Sequence, residues 1–123
     1  MDMTRQEIIE VTERIYNNVM DHYGESKHHS FFPHVSIEDT PFSDSDVPED
    51  LYGEYCSMLN EITVYWKNIP SVEHLTRTLV HEYQHYLQSS SWMKRYYTMG
   101  YSYNDHPYEI AAFDEEKNWK LFI

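Results

Sequence analysis

Cysteine occurs once, at Cys56, so the chain cannot close an internal disulfide, and nothing else in it requires an oxidising compartment. Basic residues are scarce: nine Lys and Arg stand against 21 Asp and Glu, a formal net charge of −12. That balance argues against a protein that grips nucleic acid through its phosphates. No apolar run is long enough to span a bilayer, and Met1-Asp2-Met3-Thr4-Arg5 lacks the basic-then-apolar order of a signal peptide. A cytoplasmic protein with no membrane partner is therefore expected. There is no internal repeat and no extended low-complexity tract. A chain of 123 residues is long enough for one domain, 1–123, with a modest core.

Aromatic residues make up 16 % of the chain, with twelve Tyr, so amphipathic rings are expected to fill much of that core. The acidic surface suits basic partners. It could draw in a basic protein or peptide substrate, or imitate nucleic acid toward a DNA-binding protein, while solubility alone explains the same charge.

His81-Glu82-Tyr83-Gln84-His85 carries the clearest chemistry. On a helix, positions i and i+4 share a face, so both imidazoles can close on one ion, with Glu82 beside them as a base for a water at an open coordination position. Two imidazole nitrogens suit zinc, and a catalytic zinc needs three protein ligands. The motif needs a helix, and Val72, Leu75, Leu79, Val80, Tyr83, Tyr86 and Leu87 recur at three- and four-residue spacing between Ser71 and Ser89. Two polar His on an amphipathic helix would be the bland alternative, but it leaves Glu82 and the downstream carboxylates unexplained.

Around that helix the pattern predicts an α+β domain. Thr4-Arg5-Gln6-Glu7 reads as a capping box for a first helix with Ile8, Val11, Ile15 and Val19 on its inner stripe, stopped at Gly24. Residues 25–50, with Pro33, Pro41 and Pro48 among scattered acids, read as loop; His28, His29 and His34 within it match no metal-ligand spacing. Two alternating runs, Tyr52–Cys56 and Glu61–Trp66, read as a β-hairpin in which Ile62, Val64 and Trp66 face one way and Glu61, Thr63 and Tyr65 the other. The strand before the motif helix would offer a free edge to an extended peptide. Ser90–Tyr97 extends the motif helix or forms another, and Tyr-rich loop follows. Asp105 or His106 caps a last helix with Pro107 in its first turn and Tyr108, Ile110, Ala111, Ala112, Phe113, Trp119 and Leu121 along it.

A third ligand must come from elsewhere, and Glu109 is the choice: it lies 24 positions beyond His85, with Ala111 and Ala112 small enough to let the last helix approach the motif helix. Asp105, His106, Glu115 and Glu116 compete for the role. At this point the chain resembles the zincin metallopeptidases, in particular the gluzincins, whose third ligand is a Glu on a helix downstream of H-E-x-x-H. The resemblance rests on His81–His85, on the hairpin from Gly53 to Val64, and on Tyr108-Glu109-Ile110-Ala111-Ala112, about half the chain. Its size is similar to that of small peptidases encoded by phages and mobile elements. Thermolysin-like members carry Asn-Glu-x-x-Ser-Asp around the third ligand, where the Asp orients a zinc-binding His. Here Tyr108 precedes Glu109 and Ala112-Phe113 occupy the Ser-Asp places, so Glu116, on the same helix face, is the candidate substitute.

The resemblance implies a minimal zincin-like fold and peptide hydrolysis with one zinc on His81, His85 and Glu109, Glu82 as general base, and a further donor for the oxyanion. His106, three residues before Glu109, is preferred for that donor over Tyr96, Tyr97, Tyr101, Tyr103 and Tyr108. A different class of function competes: an acidic protein-binding inhibitor or decoy whose zinc is structural. A zinc-water hydrolase acting on amides outside proteins is a further rival.

Overall fold

A computed structural model of the chain describes residues 3–29, 31–39, 52–88, 99–100 and 106–123. These form three α-helices and a small three-stranded sheet, an α+β arrangement. Helix α1, Arg5–Tyr23, begins as its sequence predicts: the Thr4 hydroxyl accepts from the Glu7 amide at 3.1 Å and the Glu7 carboxylate accepts from the Thr4 amide at 3.3 Å. It ends at Gly24, whose φ of 75° favours a residue without Cβ and whose amide donates to Met20 at 2.8 Å. Ile8, Thr12, Ile15, Tyr16 and Val19 form its buried stripe, with Val11 half-buried beside them.

Strand β1, His34–Glu38, lies inside the region read from sequence as loop, and that expectation is corrected. Its partner is β3, Glu61–Tyr65, with which it runs parallel, pairing His34 with Glu61 through Glu38 with Tyr65. Strand β2, Gly53–Cys56, pairs antiparallel with β3, so the expected hairpin forms. The sheet order is β1-β3-β2. The strand preceding the motif helix is therefore central, and it has no free edge to offer a peptide; β1 and β2 hold the outer edges.

Ile62 and Val64 of β3 are fully buried, as their alternation predicts. Tyr65, assigned to the opposite face, is buried as well, and its hydroxyl donates to Glu54 at 2.7 Å. Trp66 leaves the strand to open a short 3-10 turn, Trp66–Asn68, and its indole donates to Asp39 at 2.7 Å. Gly53 explains how tightly β2 sits: a Cβ there would stand 2.7 Å from both the Thr63 carbonyl oxygen and the Thr78 side chain.

Helix α2, Val72–Leu87, carries the motif and is the most enclosed element, with Leu75, Leu79, Val80, Tyr83 and Tyr86 in the core. Ser71 caps it by accepting from the His74 amide at 3.3 Å. The Tyr83 hydroxyl donates to the Gly24 carbonyl, tying α2 to the end of α1.

Helix α3 spans Pro107–Glu115 and continues as a 3-10 segment, Glu116–Phe122. The one helix expected through Leu121 is thus α-helical only to Glu115. Ala112 and Phe122 are buried, whereas Ile110, Ala111, Phe113 and Leu121 are exposed. Asn18 donates to the Phe122 carbonyl at 2.8 Å, which anchors the C-terminal segment against α1. The expectations for Ser89–Tyr97, for Asp105, for Tyr101 and Tyr103, and for the Tyr108 side chain lie outside the described residues. Among the described residues no helix is long and apolar enough to cross a membrane.

Candidate metal centre

Helix α2 presents His81 and His85 one turn apart on the face toward α3, their rings 4.9 Å between centroids and nearly perpendicular. Glu109 comes from the first turn of α3, whose start is set by the His106 carbonyl accepting from the amides of Glu109 at 2.9 Å and Ile110 at 3.0 Å. One carboxylate oxygen, Glu109 Oε1, lies 2.8 Å from His81 Nε2 and 2.9 Å from His85 Nε2. The fully buried Ala112 lets the two helices come this close. All three side chains are buried, and their ligand atoms lie within 4.8 Å of one another, a group that could hold a metal ion. Among the described residues there is no second such group. His29 is instead engaged with the Tyr55 hydroxyl at 3.2 Å and stacks on Tyr86.

The outer nitrogens of both rings have partners. His81 Nδ1 lies 2.7 Å from Glu116 Oε2, and His85 Nδ1 lies 2.9 Å from Gln88 Oε1. Both partners accept, so each Nδ1 carries the proton and a neutral ring turns its Nε2 lone pair inward. A lone pair facing a carboxylate oxygen at hydrogen-bond distance requires a positive centre between them. A proton can serve, and so can a divalent cation, and two neutral imidazoles with a carboxylate are the donor set that zinc takes.

The electrostatics agree with that geometry. Burial alone would lower the His81 pKa, yet hydrogen bonds to Glu109 and Glu116 and the nearby Glu82 charge lift it to about 10. Burial would raise Glu109, but hydrogen bonds from His81 and His85 bring it down to about 2. Glu82 is buried and outside the metal group. Desolvation pushes its carboxyl up to about 7, opposed by the His85 and His81 charges and helped by Glu109 and Glu54. A carboxyl near neutrality can both take and return a proton at physiological pH.

Of the residues expected at the site, His81, His85 and Glu109 come together, with Glu116 behind His81. His106 heads α3 and is fully buried, outside the three-residue group. Three features escaped the sequence reading. Gln88 holds His85 from one turn on, a spacing that could have revealed it. The Phe113 ring packs edge-on against His81, with centroids 4.6 Å apart, at the position where an Asp was sought. Glu54 reaches Glu82 electrostatically from β2, and only the folded sheet brings them near. Compared with protein-family models, curated proteins and solved structures, the chain matches none.

Proposed function

We propose that the chain is a zinc-dependent metallopeptidase of the gluzincin type, with zinc held by His81, His85 and Glu109. The reading is carried by one observation: a single Glu109 oxygen meets the Nε2 atoms of both imidazoles, and all three side chains are buried. When bound, zinc would supply a Lewis acid that lowers the pKa of water and polarises a peptide carbonyl. Glu82 takes the proton of the attacking water on its carboxylate and returns it to the leaving amine. Glu116 and Gln88 keep the two Nδ1 protons in place, so both imidazoles stay oriented through the cycle. His106, three residues ahead of Glu109, is the proposed donor to the oxyanion, and its full burial also suits it to holding the head of α3. The substrate is a protein or peptide, with basic sequences favoured by the −12 charge of the chain.

The test is direct. Zinc-loaded protein is incubated with a mixed protein extract and new chain ends are mapped. Neo-termini made by the wild type and lost in Glu82→Gln support the proposal. A zinc-loaded wild type that makes none points to the acidic binding protein or to a hydrolase of other amides.

A further inference from the structure

Strand β2 runs beside the motif helix. A Cβ on Gly53 would stand 2.7 Å from the Thr78 side chain, and further along the strand the Tyr55 ring meets the Tyr86 ring edge-on, with centroids 6.4 Å apart. Thr78, Glu82 and Tyr86 follow one another at helical spacing on a single face of α2, so Glu54, between Gly53 and Tyr55, draws level with Glu82. Its side chain leaves the strand on the face opposite Gly53 and Tyr55, where the hydroxyl of the buried Tyr65 donates to Glu54 Oε2 at 2.7 Å. Glu54 itself is exposed. Its charge is felt at the buried Glu82 carboxyl, and that of Glu82 at the Tyr65 hydroxyl, so the three groups share one neighbourhood.

A carboxylate on an edge strand is commonly surrounded by water alone. This one is held in one orientation by a buried donor, at the level of the base, and among the described residues no Lys or Arg pairs with it: Lys67 goes to Asp39 and Arg77 to Glu73. Exposed ion pairs are weak, but a substrate lying over the site would exclude water from a pair formed here and strengthen it. We propose that Glu54 is a specificity-determining residue that receives the Lys or Arg side chain of a substrate residue next to the bond being cut, with Tyr65 as the positioning residue that holds it. The inference rests on the metallopeptidase reading. It places in one side chain a preference for basic sequences that the net charge of −12 spreads over the whole surface.

The test uses peptide hydroxamates, which chelate zinc and are not cleaved, carrying Lys, norleucine or Glu next to the chelating group on either side of it. Calorimetry on the zinc-loaded full chain should show Lys bound about tenfold tighter than norleucine in one of the two orientations, with Glu the weakest. Glu54→Gln keeps an acceptor for Tyr65 and should bring Lys down to the norleucine affinity with zinc content unchanged, while Glu54→Lys should make Glu the preferred side chain. Tyr65→Phe should lower the ratio of Lys to norleucine affinity about two- to threefold, a ratio that a merely structural Tyr65 would leave alone. Among neo-termini made from the protein extract, Lys and Arg should be enriched beside the cut for the wild type and not for Glu54→Gln. A Lys preference that survives Glu54→Gln, or a wild type that binds all three side chains alike, overturns the assignment to Glu54 and leaves the metallopeptidase reading standing. A zinc-loaded wild type that binds none of the hydroxamates overturns both.

Discussion

Glu116 Oε2 stands 2.7 Å from His81 Nδ1, so the carboxylate that orients the first imidazole comes from the start of the 3-10 segment, two turns after Glu109. The place one turn after Glu109, where thermolysin-like sequences put an Asp, holds Phe113, whose ring packs against the same imidazole. One side chain fixes the proton and the other the ring plane.

If that division holds, Glu116→Ala should keep the fold and weaken zinc binding about 10- to 100-fold, because the Nδ1 proton loses its acceptor. Asp114→Asn, an exposed carboxylate on α3, should leave affinity unchanged. Competition with a chromophoric chelator measures both. Equal affinities for wild type and Glu116→Ala would remove Glu116 from the site.

The ion-free site also predicts how binding depends on pH. His81, lifted to about 10, is protonated at pH 7 and must lose its proton to bind a metal, whereas Glu109, held near 2, is already ionised. Zinc affinity should therefore rise with pH through neutrality, with at least one proton released per ion, countable by calorimetry in buffers of different ionisation enthalpy. Stability of the chelated protein runs the other way. The raised His81 contributes stability fully below its unfolded value near 6.5 and loses it as pH climbs toward 10. The lowered Glu109 contributes above 4.5 and loses it as pH falls toward 2. The raised Glu82 costs stability as pH rises from 4.5 to about 7. Urea midpoints of the chelated protein should thus peak near pH 5 and decline toward alkaline pH. A chelated protein that gains stability steadily from pH 5 to 9 would contradict the buried ion pair.

How much of this was legible beforehand follows the range of the interactions. The Thr4–Glu7 capping box, the Gly24 stop and the helix under His81–His85 depend on neighbours within a few residues, and the sequence displays them. Glu109 and Glu116 were reachable because residue chemistry and helical spacing limit what can complete two imidazoles. Strand β1 was not, since His34–Glu38 finds its partner 27 positions later and lies among prolines and acids that read as loop. The burial of Tyr65 was not legible for a related reason: alternation gives the two faces of a strand, and the Glu54 contact that covers the Tyr65 hydroxyl comes from the neighbouring strand.

Gly53 supplies a prediction about the scaffold. A methyl at this position meets the Thr63 carbonyl and the Thr78 side chain at 2.7 Å, and the carbonyl cannot yield without moving β3. Gly53→Ala should destabilise by about 1–3 kcal/mol, and Thr78→Ala should relieve only part of that. Denaturant midpoints of the two single variants and the double variant decide it. Full rescue by Thr78→Ala would mean that the backbone contact is unimportant.

The last prediction separates proton transfer from architecture. Glu82→Gln removes the base but keeps the shape of a buried side chain that makes no part of the metal group, so zinc should bind as in the wild type while turnover falls about 10²- to 10⁴-fold. His106→Ala should behave differently according to its role. A donor to the oxyanion lowers kcat with zinc affinity intact, whereas a residue that holds the head of α3 displaces Glu109 and lowers zinc affinity first. Measuring kcat and zinc affinity together for both variants distinguishes these cases. Turnover of Glu82→Gln near the wild-type rate would show that the proton travels by another route and that the acid beside the two imidazoles is there for folding alone.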